Sequence, residues 1–399
     1  MSKQIQDAYI VAALRTPVAR RNGAFRHVRP DDMLAKVLRE IVATVPNLDQ
    51  TEIGDVITGC AMPEAEQGMN VSRIGLLLAG LPDGVPGVTI NRFCASGLQA
   101  VVDAASRIRL GEADVMIAAG TESMSAMPQI MGNKVSLNPE IFAHAENVDI
   151  AYGMGLTAER VAAQWKVSRE DQDAFAAESH RRACAAIAAG HFDAEITPYA
   201  VKAHLPGERG SVRVVERLVA QDEGPRSDSN AETLARLRPV FAARGSVTAG
   251  NSSQMSDGAA AVLLMSEAAL KRYNVRPIAR LAGYAVAGVP PEIMGIGPIE
   301  AIPRALKRAG LALDDIGWIE LNEAFAAQAL AVMRQLEMDP SRVNPLGGAI
   351  ALGHPLGATG AIRTATLMAA MQRDPGLRYG MISMCIGTGM GAAGIFERV

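Results

Sequence analysis

The architecture is clearest in residues 88–121, whose sequence is VTINRFCASGLQAVVDAASRIRLGEADVMIAAGT. A short apolar segment, residues 88–90, leads into a turn that contains Cys94. Residues 113–121 then form a second apolar, strand-like segment. Between them, apolar residues recur with the period of an amphipathic helix: Leu98, Val101, Val102, Ala105 and Ile108. Because strand and helix patterns alternate, the sequence predicts an α/β fold.

The same order of patterns recurs later in the chain. A helical pattern over residues 32–45 precedes a strand over 53–59, and one over 299–309 precedes a strand over 316–322. A nearly constant offset between such landmarks indicates two duplicated α/β halves. The alternative, that unrelated helix–strand pairs merely look alike, stays open at this point. The offsets are 263 residues from Gly54 to Gly317, 260 from Cys94 to His354 and 267 from Gly120 to Gly387.

The duplication predicts three structural units. Residues 1–122 together with 251–272 are expected to form the N-terminal half, and residues 273–399 the C-terminal half. Residues 123–250 differ, because helical patterns there are followed by a long polar stretch over 202–230. Insertions of this kind usually carry binding residues, so we expect a loop domain between the halves. The helical patterns cover residues 158–165 and 169–189.

The composition excludes several classes of protein. Of the 399 residues 49% are hydrophobic, which is enough apolar surface to offset the entropy of ordering the chain. The net charge of −3 offers no basic field for nucleic acid. The longest apolar runs, residues 8–14 and 259–265, are far shorter than the roughly 20 residues that cross a membrane. We therefore expect a cytoplasmic protein that inserts in no membrane and binds no nucleic acid, with a first buried strand at residues 8–14.

Four scattered cysteines indicate neither a disulfide framework nor a zinc site, since no C-x-x-C and no metal-type histidine spacing occurs. Cys94 stands apart because it lies between a strand and a helix. The N-terminus of a helix stabilises a thiolate, so this position is expected to lower the pKa of the thiol. An inert, buried cysteine is the alternative that the position alone leaves open.

Two glycine-rich segments carry the other reactive side chains. His354 lies in residues 347–360, GGAIALGHPLGATG, where Pro355 disfavours a helical conformation for it. A histidine in this uncharged loop is a candidate base. Cys385 ends a strand before residues 387–391, GTGMG, whose backbone amides can hold an oxyanion. A formal G-x-G-x-x-G match in the same region has no helix after it, so a dinucleotide site is rejected.

A third candidate segment begins at Asn322, directly after a predicted strand. Asn322 offers an amide and Glu323 a carboxylate. Glu323 has two interpretations, an acid at the start of a helix or a catalytic carboxylate, and the sequence does not choose between them.

Four segments resemble the active-site segments of the thiolase family. They occur in the order of the family, and the resemblance extends from Ala8 to Glu397. It implies two thiolase-type halves in a five-layer α-β-α-β-α core, with an inserted loop domain that binds coenzyme A. The segments are NRFCASG at 91–97, NEAFA at 322–326, the glycine-rich residues 347–360 and CIGTGMG at 385–391.

The resemblance implies a role for each matching residue. Cys94 would be the acylated nucleophile, His354 the base that activates it, and Cys385 the acid and base at C2 of the substrate. Asn322 would hold a water that forms one oxyanion hole with His354, and the amides of Cys94 and Gly387 would form the other. The implied contacts to coenzyme A are Arg226, Thr233 and Ser253, and the implied apolar lining near the acyl group is Met154, Met294 and Phe325.

Other positions bear on the substrate. Many short-chain acetoacetyl-CoA thiolases have a histidine where this chain has Gly153. Residues 222–226 (DEGPR) and 251–257 (NSSQMSD) look more like the 3-ketoacyl-CoA thiolases of β-oxidation, and residues 124–153 are shorter than in the tetrameric biosynthetic type. The implied enzyme is an acetyl-CoA C-acyltransferase that cleaves 3-ketoacyl-CoA with coenzyme A.

Three alternatives remain beside this interpretation. The first is an acetoacetyl-CoA thiolase that runs the Claisen condensation with the same residues. The second, a ketoacyl-ACP synthase, is disfavoured because that chemistry typically pairs one cysteine with two histidines. The third is a non-catalytic acyl-CoA-binding protein, against which Cys94, His354 and Cys385 together argue.

The resemblance also implies what the protein binds. Coenzyme A and acyl-CoA are the expected substrates, and no metal or redox cofactor is expected. A homodimer or a homotetramer is expected, and association with other β-oxidation enzymes stays open.

Overall fold

The computed structural model describes residues 5–126, 137–143, 150, 153–206 and 208–399. The strands in these ranges are β1 Ala8–Arg15, β2 Ala19–Arg20, β3 Ile53–Gly59, β4 Gly87–Ile90, β5 Val115–Ser123, β6 Tyr199–Pro206, β7 Val212–Val219, β8 Ser256–Ser266, β9 Ala279–Gly288, β10 Trp318–Leu321, β11 Tyr379–Ile386 and β12 Met390–Arg398. The α-helices are α1 Pro30–Ala43, α2 Val71–Leu78, α3 Ser96–Arg109, α4 Met154–Gln164, α5 Arg169–Ala188, α6 Ala231–Ala235, α7 Glu267–Tyr273, α8 Gly297–Ala309, α9 Ala326–Gln335, α10 Ala349–Leu352 and α11 Leu356–Arg373.

The strand order demonstrates the duplication. The large sheet runs β10-β11-β12-β9-β1-β8-β5-β3-β4. In the first half β3 pairs in parallel with both β4 and β5, and β8 is antiparallel to β5 and β1. In the second half β10 pairs in parallel with β11, and β12 is antiparallel to β11 and β9. In the second half, a single parallel bridge from Ile319 to Val343 takes the place that the pairing of β4 with β3 has in the first half. The prediction of two duplicated α/β halves is therefore confirmed.

The helices lie in three layers around the two halves of the sheet. Helices α1 and α2 pack on the outer face of the first half, and α8 and α9 on the outer face of the second. Between the halves lie α3 and α11, whose apolar side chains share one core with strands of both. A short antiparallel contact of β1 with β9, at Tyr9 and Ile10, joins the half-sheets at their edges. This is the expected five-layer α-β-α-β-α arrangement.

Glycines let α3 and α11 approach until their backbones touch. A Cβ on Gly97 would lie 2.6 Å from the backbone nitrogen of Ala361, and a Cβ on Gly360 would overlap the backbone nitrogen of Leu98. No side chain fits between backbones at this separation, so glycine is required at both crossing positions. The approach places the first turns of α3 and α11 side by side, and these turns follow Cys94 and His354.

The inserted segment is tied to the first half by a buried ion-pair cluster. The guanidinium of Arg15, at the end of β1, contacts Glu195 at 2.6 Å and Asp222 at 2.7 and 2.9 Å. Helices α4 and α5 confirm the two helical patterns expected there. The hairpin of β6 and β7 was not predicted, because its strands lie within the polar stretch, where charged residues mask the strand pattern.

Two further expectations concern the first strand and residues 124–153. The first buried strand is confirmed as β1. Most of residues 124–153, whose length bears on the oligomeric state, lies outside the described residues. In the part of the chain that the structure describes, none of the helices combines the length and apolarity needed to cross a bilayer.

Candidate active site

Cys94 is presented by a tight turn in front of α3. Phe93 has a left-handed φ of 44°, and its N–H donates to the Asn91 side chain at 2.8 Å. The Ser96 hydroxyl donates to the Phe93 carbonyl at 2.7 Å and accepts the N–H of Arg92 at 2.8 Å. These bonds close the turn on itself, so the thiol is held at the N-terminal end of the helix, as the sequence predicts.

The pKa of the Cys94 thiol differs from the expectation. Desolvation raises it to about 11, although the residue remains partly exposed. The nearby backbone N–H groups of Gly387 and of Cys94 itself lower the pKa, while the charge of Glu122 raises it. The expected lowering is therefore wrong, because the loss of water around the sulfur outweighs the two amides. The resting residue is a neutral thiol.

His354 lies between α10 and α11, where Gly353 turns the chain with a φ of 93°. Its backbone N–H donates to the Gln254 carbonyl and to the Ser256 hydroxyl, both at 3.2 Å. The ring is 4% exposed, and burial, with a smaller contribution from Arg363, lowers its pKa to about 3. The imidazole is therefore neutral at physiological pH, which is the form that can accept a proton.

Two polar side chains orient the imidazole ring. Nδ1 lies 2.6 Å from the hydroxyl of Thr359, and Nε2 lies 3.4 Å from the amide nitrogen of Asn322. When Asn322 donates to Nε2, the ring proton is on Nδ1 and is donated to Thr359. Thr359 was missed by the sequence analysis, although a hydroxyl one helical turn after the histidine is a usable signal.

Asn322 retains an acceptor for another molecule. It follows β10, its backbone N–H donates to the Ser383 carbonyl at 2.9 Å, and it is 1% exposed. Within the described residues its side-chain oxygen is buried and has no hydrogen-bond partner. A buried amide oxygen without a partner suits a bound water or a substrate group.

Cys385 lies at the end of β11, opposite Gly391 in β12. Burial raises the pKa of its thiol, and the neighbouring thiol of Cys94 raises it further. Cys385 belongs to a small apolar cluster that also contains all three residues expected to line the acyl group. The other members of the cluster are Met154, Ala158, Val247, Met294, Ala324 and Phe325.

The three residues expected to contact coenzyme A lie on different loops. The backbone N–H of Ser253 donates to the Ala324 carbonyl at 3.0 Å, next to the apolar cluster. The N–H of Arg226 donates to Nδ1 of His180 at 3.1 Å, and its side chain is 66% exposed. The hydroxyl of Thr233 bonds within the cap of α6, so its local role in the structure is that of a helix cap.

Glu122 is a second residue that the sequence analysis missed. Its buried carboxylate, at the end of β5, accepts the N–H of Ala61 and of Gly357, both at 2.8 Å, and the side-chain amide of Gln67. Gly357 belongs to the first turn of α11, so Glu122 anchors the helix that follows His354. A charged residue ending an otherwise uncharged strand was the available signal.

The contacts of Glu323 exclude one of its two interpretations. Its carboxylate is buried and accepts bonds from the Ser179 hydroxyl at 2.7 Å, the Asn344 amide at 2.8 Å and the Ile350 N–H at 3.2 Å. Helix α9 begins only at Ala326. Glu323 therefore holds the chain that leads to His354 and is not an acid at the start of a helix.

Comparisons with known proteins agree with this geometry. Two family models match the chain, "Thiolase, N-terminal domain" over residues 8–268 and "Thiolase, C-terminal domain" over residues 275–398. The 3-ketoacyl-CoA thiolase of Bacillus subtilis (strain 168) is 50% identical over 395 residues, which cover 98% of this chain and 100% of that protein.

Two further relatives extend the comparison. The beta-ketoadipyl-CoA thiolase of Pseudomonas knackmussii is 44% identical over an alignment of 413 residues, covering 99% of this chain and 100% of that protein. The crystal structure of the Bacillus anthracis acetyl-CoA acetyltransferase superposes with a TM-score of 0.89 at 39% identity, covering 100% of each chain. The resemblance drawn from the four sequence segments is confirmed, and this chain belongs to the thiolase family.

Proposed function

We propose that this thiolase transfers an acyl group between a 3-ketoacyl-CoA and coenzyme A through a thioester on Cys94. The observation that carries the proposal is that Cys94 and His354 precede the first turns of two helices, α3 and α11, which touch backbone to backbone. The Gly387 N–H and the thiol of Cys385 lie near the Cys94 sulfur, and a neutral His354 is held by Asn322 and Thr359. A nucleophile, a base and a second proton carrier are what this reaction requires.

The first half-reaction forms the thioester. His354 accepts the proton of Cys94, and the sulfur attacks C3 of the 3-ketoacyl-CoA. The N–H groups of Cys94 and Gly387, which lie near the sulfur in the free protein, hold the oxygen of the tetrahedral intermediate. The C2–C3 bond then breaks, its electron pair leaves as the enolate of acetyl-CoA, and Cys385 protonates that enolate at C2.

The second half-reaction releases the acyl group. Cys385, now a thiolate, takes the proton of the incoming coenzyme A thiol, and the coenzyme A sulfur attacks the carbonyl carbon of the thioester. The Cys94 sulfur leaves and regains its proton from His354. A water held by the free side-chain oxygen of Asn322 would complete, with the His354 imidazole, a second oxyanion hole for the enolate. The sequence of steps involves no metal and no redox cofactor.

The apolar cluster around Cys385 supports a substrate with an alkyl chain longer than acetoacetyl. Met154, Met294 and Phe325 present thioether and aromatic surfaces that adapt to chains of different length. Gly153 stands where a histidine would be, and among the residues that the structure describes nothing lies within 4 Å of a Cβ built there. Acetoacetyl-CoA synthesis is the second candidate, favoured by the 39% identity to an acetyl-CoA acetyltransferase.

The remaining parts of the proposal concern binding and assembly. Arg226, Thr233 and Ser253 are proposed to contact coenzyme A, and the domain boundaries predicted above separate the loop domain that carries the first two from the catalytic halves. We further propose that the protein is a homodimer or homotetramer in the cytoplasm. Association of this oligomer with other β-oxidation enzymes is a separate possibility that co-purification would test.

The variant Cys385→Ala tests the division of labour between the two thiols. It should still acquire an acetyl group on Cys94 from acetyl-CoA, seen by mass spectrometry, but lose thiolysis and deuterium exchange into the acetyl methyl group by roughly 10²–10⁴-fold. Cys184→Ala, which removes a thiol from α5, is the matched control. Normal exchange and thiolysis in Cys385→Ala would show that Cys385 only packs.

The substrate class is tested by kcat/KM for acetoacetyl-CoA and for longer 3-ketoacyl-CoA esters. We expect the longer esters to be cleaved with equal or higher kcat/KM. Activity confined to acetoacetyl-CoA would favour the second candidate, and wild-type protein that neither forms the thioester nor cleaves any ester would support the non-catalytic alternative.

A further inference from the structure

The side chain of Gln254 bridges two loops of the candidate site. Its amide nitrogen donates to the carbonyl of Gly224 at 3.0 Å and to the carbonyls of Ile350 and Ala351, both at 3.1 Å. Gly224 lies two residues before Arg226, whereas Ile350 and Ala351 belong to α10, which ends just before His354. One side-chain amide therefore bonds both to residues 222–226, which we call the coenzyme A loop, and to the helix in front of the proposed base.

The main chain of Gln254 holds His354 itself. Its carbonyl accepts the N–H of His354 at 3.2 Å and the hydroxyl of Ser256 at 2.7 Å, and that hydroxyl also accepts the His354 N–H at 3.2 Å. The preceding residue is Ser253, one of the proposed contacts to coenzyme A. Gln254 thus stands in sequence and in space between the substrate-binding segment and the imidazole.

The coenzyme A loop has little freedom to move independently of this bridge. A Cβ on Gly224 would overlap the carbonyl oxygen of Ala351, so the two loops pack backbone against backbone. On the other side, Asp222 is held by the buried guanidinium of Arg15, and Glu223 accepts the backbone N–H of Ala24 at 3.0 Å. A displacement of residues 222–224 is therefore transmitted to α10 and to Gln254.

We propose that Gln254 is a positioning residue that couples binding of coenzyme A to the placement of His354. The inference rests on the proposed function, because it takes residues 224–226 and Ser253 as the place where coenzyme A binds. When the remote part of coenzyme A contacts this loop, the binding energy stabilises the loop against α10 and holds the imidazole in its reactive position. Binding energy from parts of a substrate that do not react is in this way used at the reacting centre.

The coupling is tested with two esters of the same 3-ketoacyl group, one of coenzyme A and one of N-acetylcysteamine, which lacks the nucleotide. The variant Gln254→Met keeps the length of the side chain and removes the donor. We expect kcat/KM for the coenzyme A ester to fall by roughly 10–100-fold, since small displacements of a catalytic group have effects of that size. For the N-acetylcysteamine ester, kcat/KM should fall by less than about 3-fold, because that ester has no nucleotide to contact the loop.

A second variant and a control keep the test decisive. Gln254→Asn retains an amide but is one methylene too short to reach all three carbonyls, so it should show the same selective loss to a smaller extent. Gln99→Met removes a half-buried glutamine that bonds to Asp103 and Tyr284, away from both loops, and should leave the ratio of the two esters unchanged.

The outcomes separate the coupling from the proposed function. Equal losses for both esters in Gln254→Met, no loss for either, or the same selective loss in Gln99→Met would each overturn the coupling. Wild-type protein that cleaves neither ester would instead contradict the proposed function, and the coupling with it. A selective loss for the coenzyme A ester in the Gln254 variants alone would support both.

Discussion

Replacing Thr359 with valine tests how the base of the candidate site is held. The hydroxyl of Thr359 lies 2.6 Å from Nδ1 of His354, and both residues are buried. The other polar neighbour of the ring, the amide nitrogen of Asn322, is farther away at 3.4 Å. Valine keeps the shape of threonine and removes only the hydroxyl, so the change isolates the shorter of the two contacts that orient the ring.

The expected effect follows from the burial of this contact. Without the hydroxyl, Nδ1 of His354 is left in a buried position with no partner, which costs about 1–3 kcal/mol. That cost falls on the step in which the correctly oriented ring accepts the Cys94 proton, because the ring is then free to turn or to change tautomer. We therefore expect acetylation of Cys94 by acetyl-CoA to slow by roughly 5–150-fold.

Rapid-quench mass spectrometry of the intact protein measures the acetylation rate directly. Thr364→Val is the matched control, because that hydroxyl is also buried in α11 but donates at 2.8 Å to the Gly360 carbonyl of its own helix. The control should acetylate like the wild-type protein. The reasoning would be refuted if Thr359→Val kept the wild-type rate, or if Thr364→Val slowed the reaction as much.

Three further predictions concern charge and packing. The rate at which iodoacetamide alkylates Cys94 in the free protein should rise with pH toward about 11. Glu122→Gln should move this pH profile to lower pH by removing a negative charge, whereas the control Ser123→Ala should not. An unmoved profile in Glu122→Gln would contradict the role of that charge. Burial lowers the pKa of His180 to about 4, so below about pH 6.5 the unfolded chain binds a proton that the folded chain does not. Between pH 7.5 and 5 the free energy of unfolding should therefore fall by about 2 kcal/mol less in His180→Gln than in the wild-type protein. Denaturant titrations that give both proteins the same pH dependence would rule this out. Gly360→Ala should lower the free energy of unfolding by at least about 1–3 kcal/mol, because its Cβ would overlap the backbone of α3. Gly84→Ala should change the free energy of unfolding little, since a Cβ there meets no atom of the described residues within 4 Å. Similar denaturation midpoints for the two variants would argue against the close helix contact.

Local patterns were sufficient to predict the fold and to single out Cys94 and His354 as candidate reactive residues. The strand-turn-helix pattern around Cys94 and the constant offset to His354 predicted the duplicated halves, because period and turn residues are encoded within a few positions of each other. The hairpin of β6 and β7 escaped prediction, since charged residues interrupt its apolar alternation and most of β7 is exposed. Its strands are specified by pairing with each other, which no local pattern reveals.

A local signal could mark Glu122 and Thr359 as unusual, but the roles of the supporting residues could not be predicted, because those roles arise from contacts between distant segments. Glu122 bonds to Gly357, 235 positions later, and Gln254 bonds to Gly224 and Ala351. The pKa of Cys94 was predicted in the wrong direction for the same reason. The helix terminus is visible in the sequence, whereas the desolvation that outweighs it depends on how the folded chain buries the sulfur.

The charge state of the resting site limits how the reaction can begin. Moving the proton from Cys94 to His354 as independent groups, with pKa values of about 11 and about 3, would cost about 11 kcal/mol. If the two ions were about 4 Å apart, their attraction would return about 4 kcal/mol at an effective dielectric constant near 20. The remaining cost, on the order of 7 kcal/mol, lies below the barrier of about 16 kcal/mol for a turnover of ten per second and favours the neutral thiol and imidazole in the resting site. In the proposed mechanism, proton transfer therefore accompanies the attack on the substrate, when the amides of Cys94 and Gly387 would exchange the sulfur for an oxyanion.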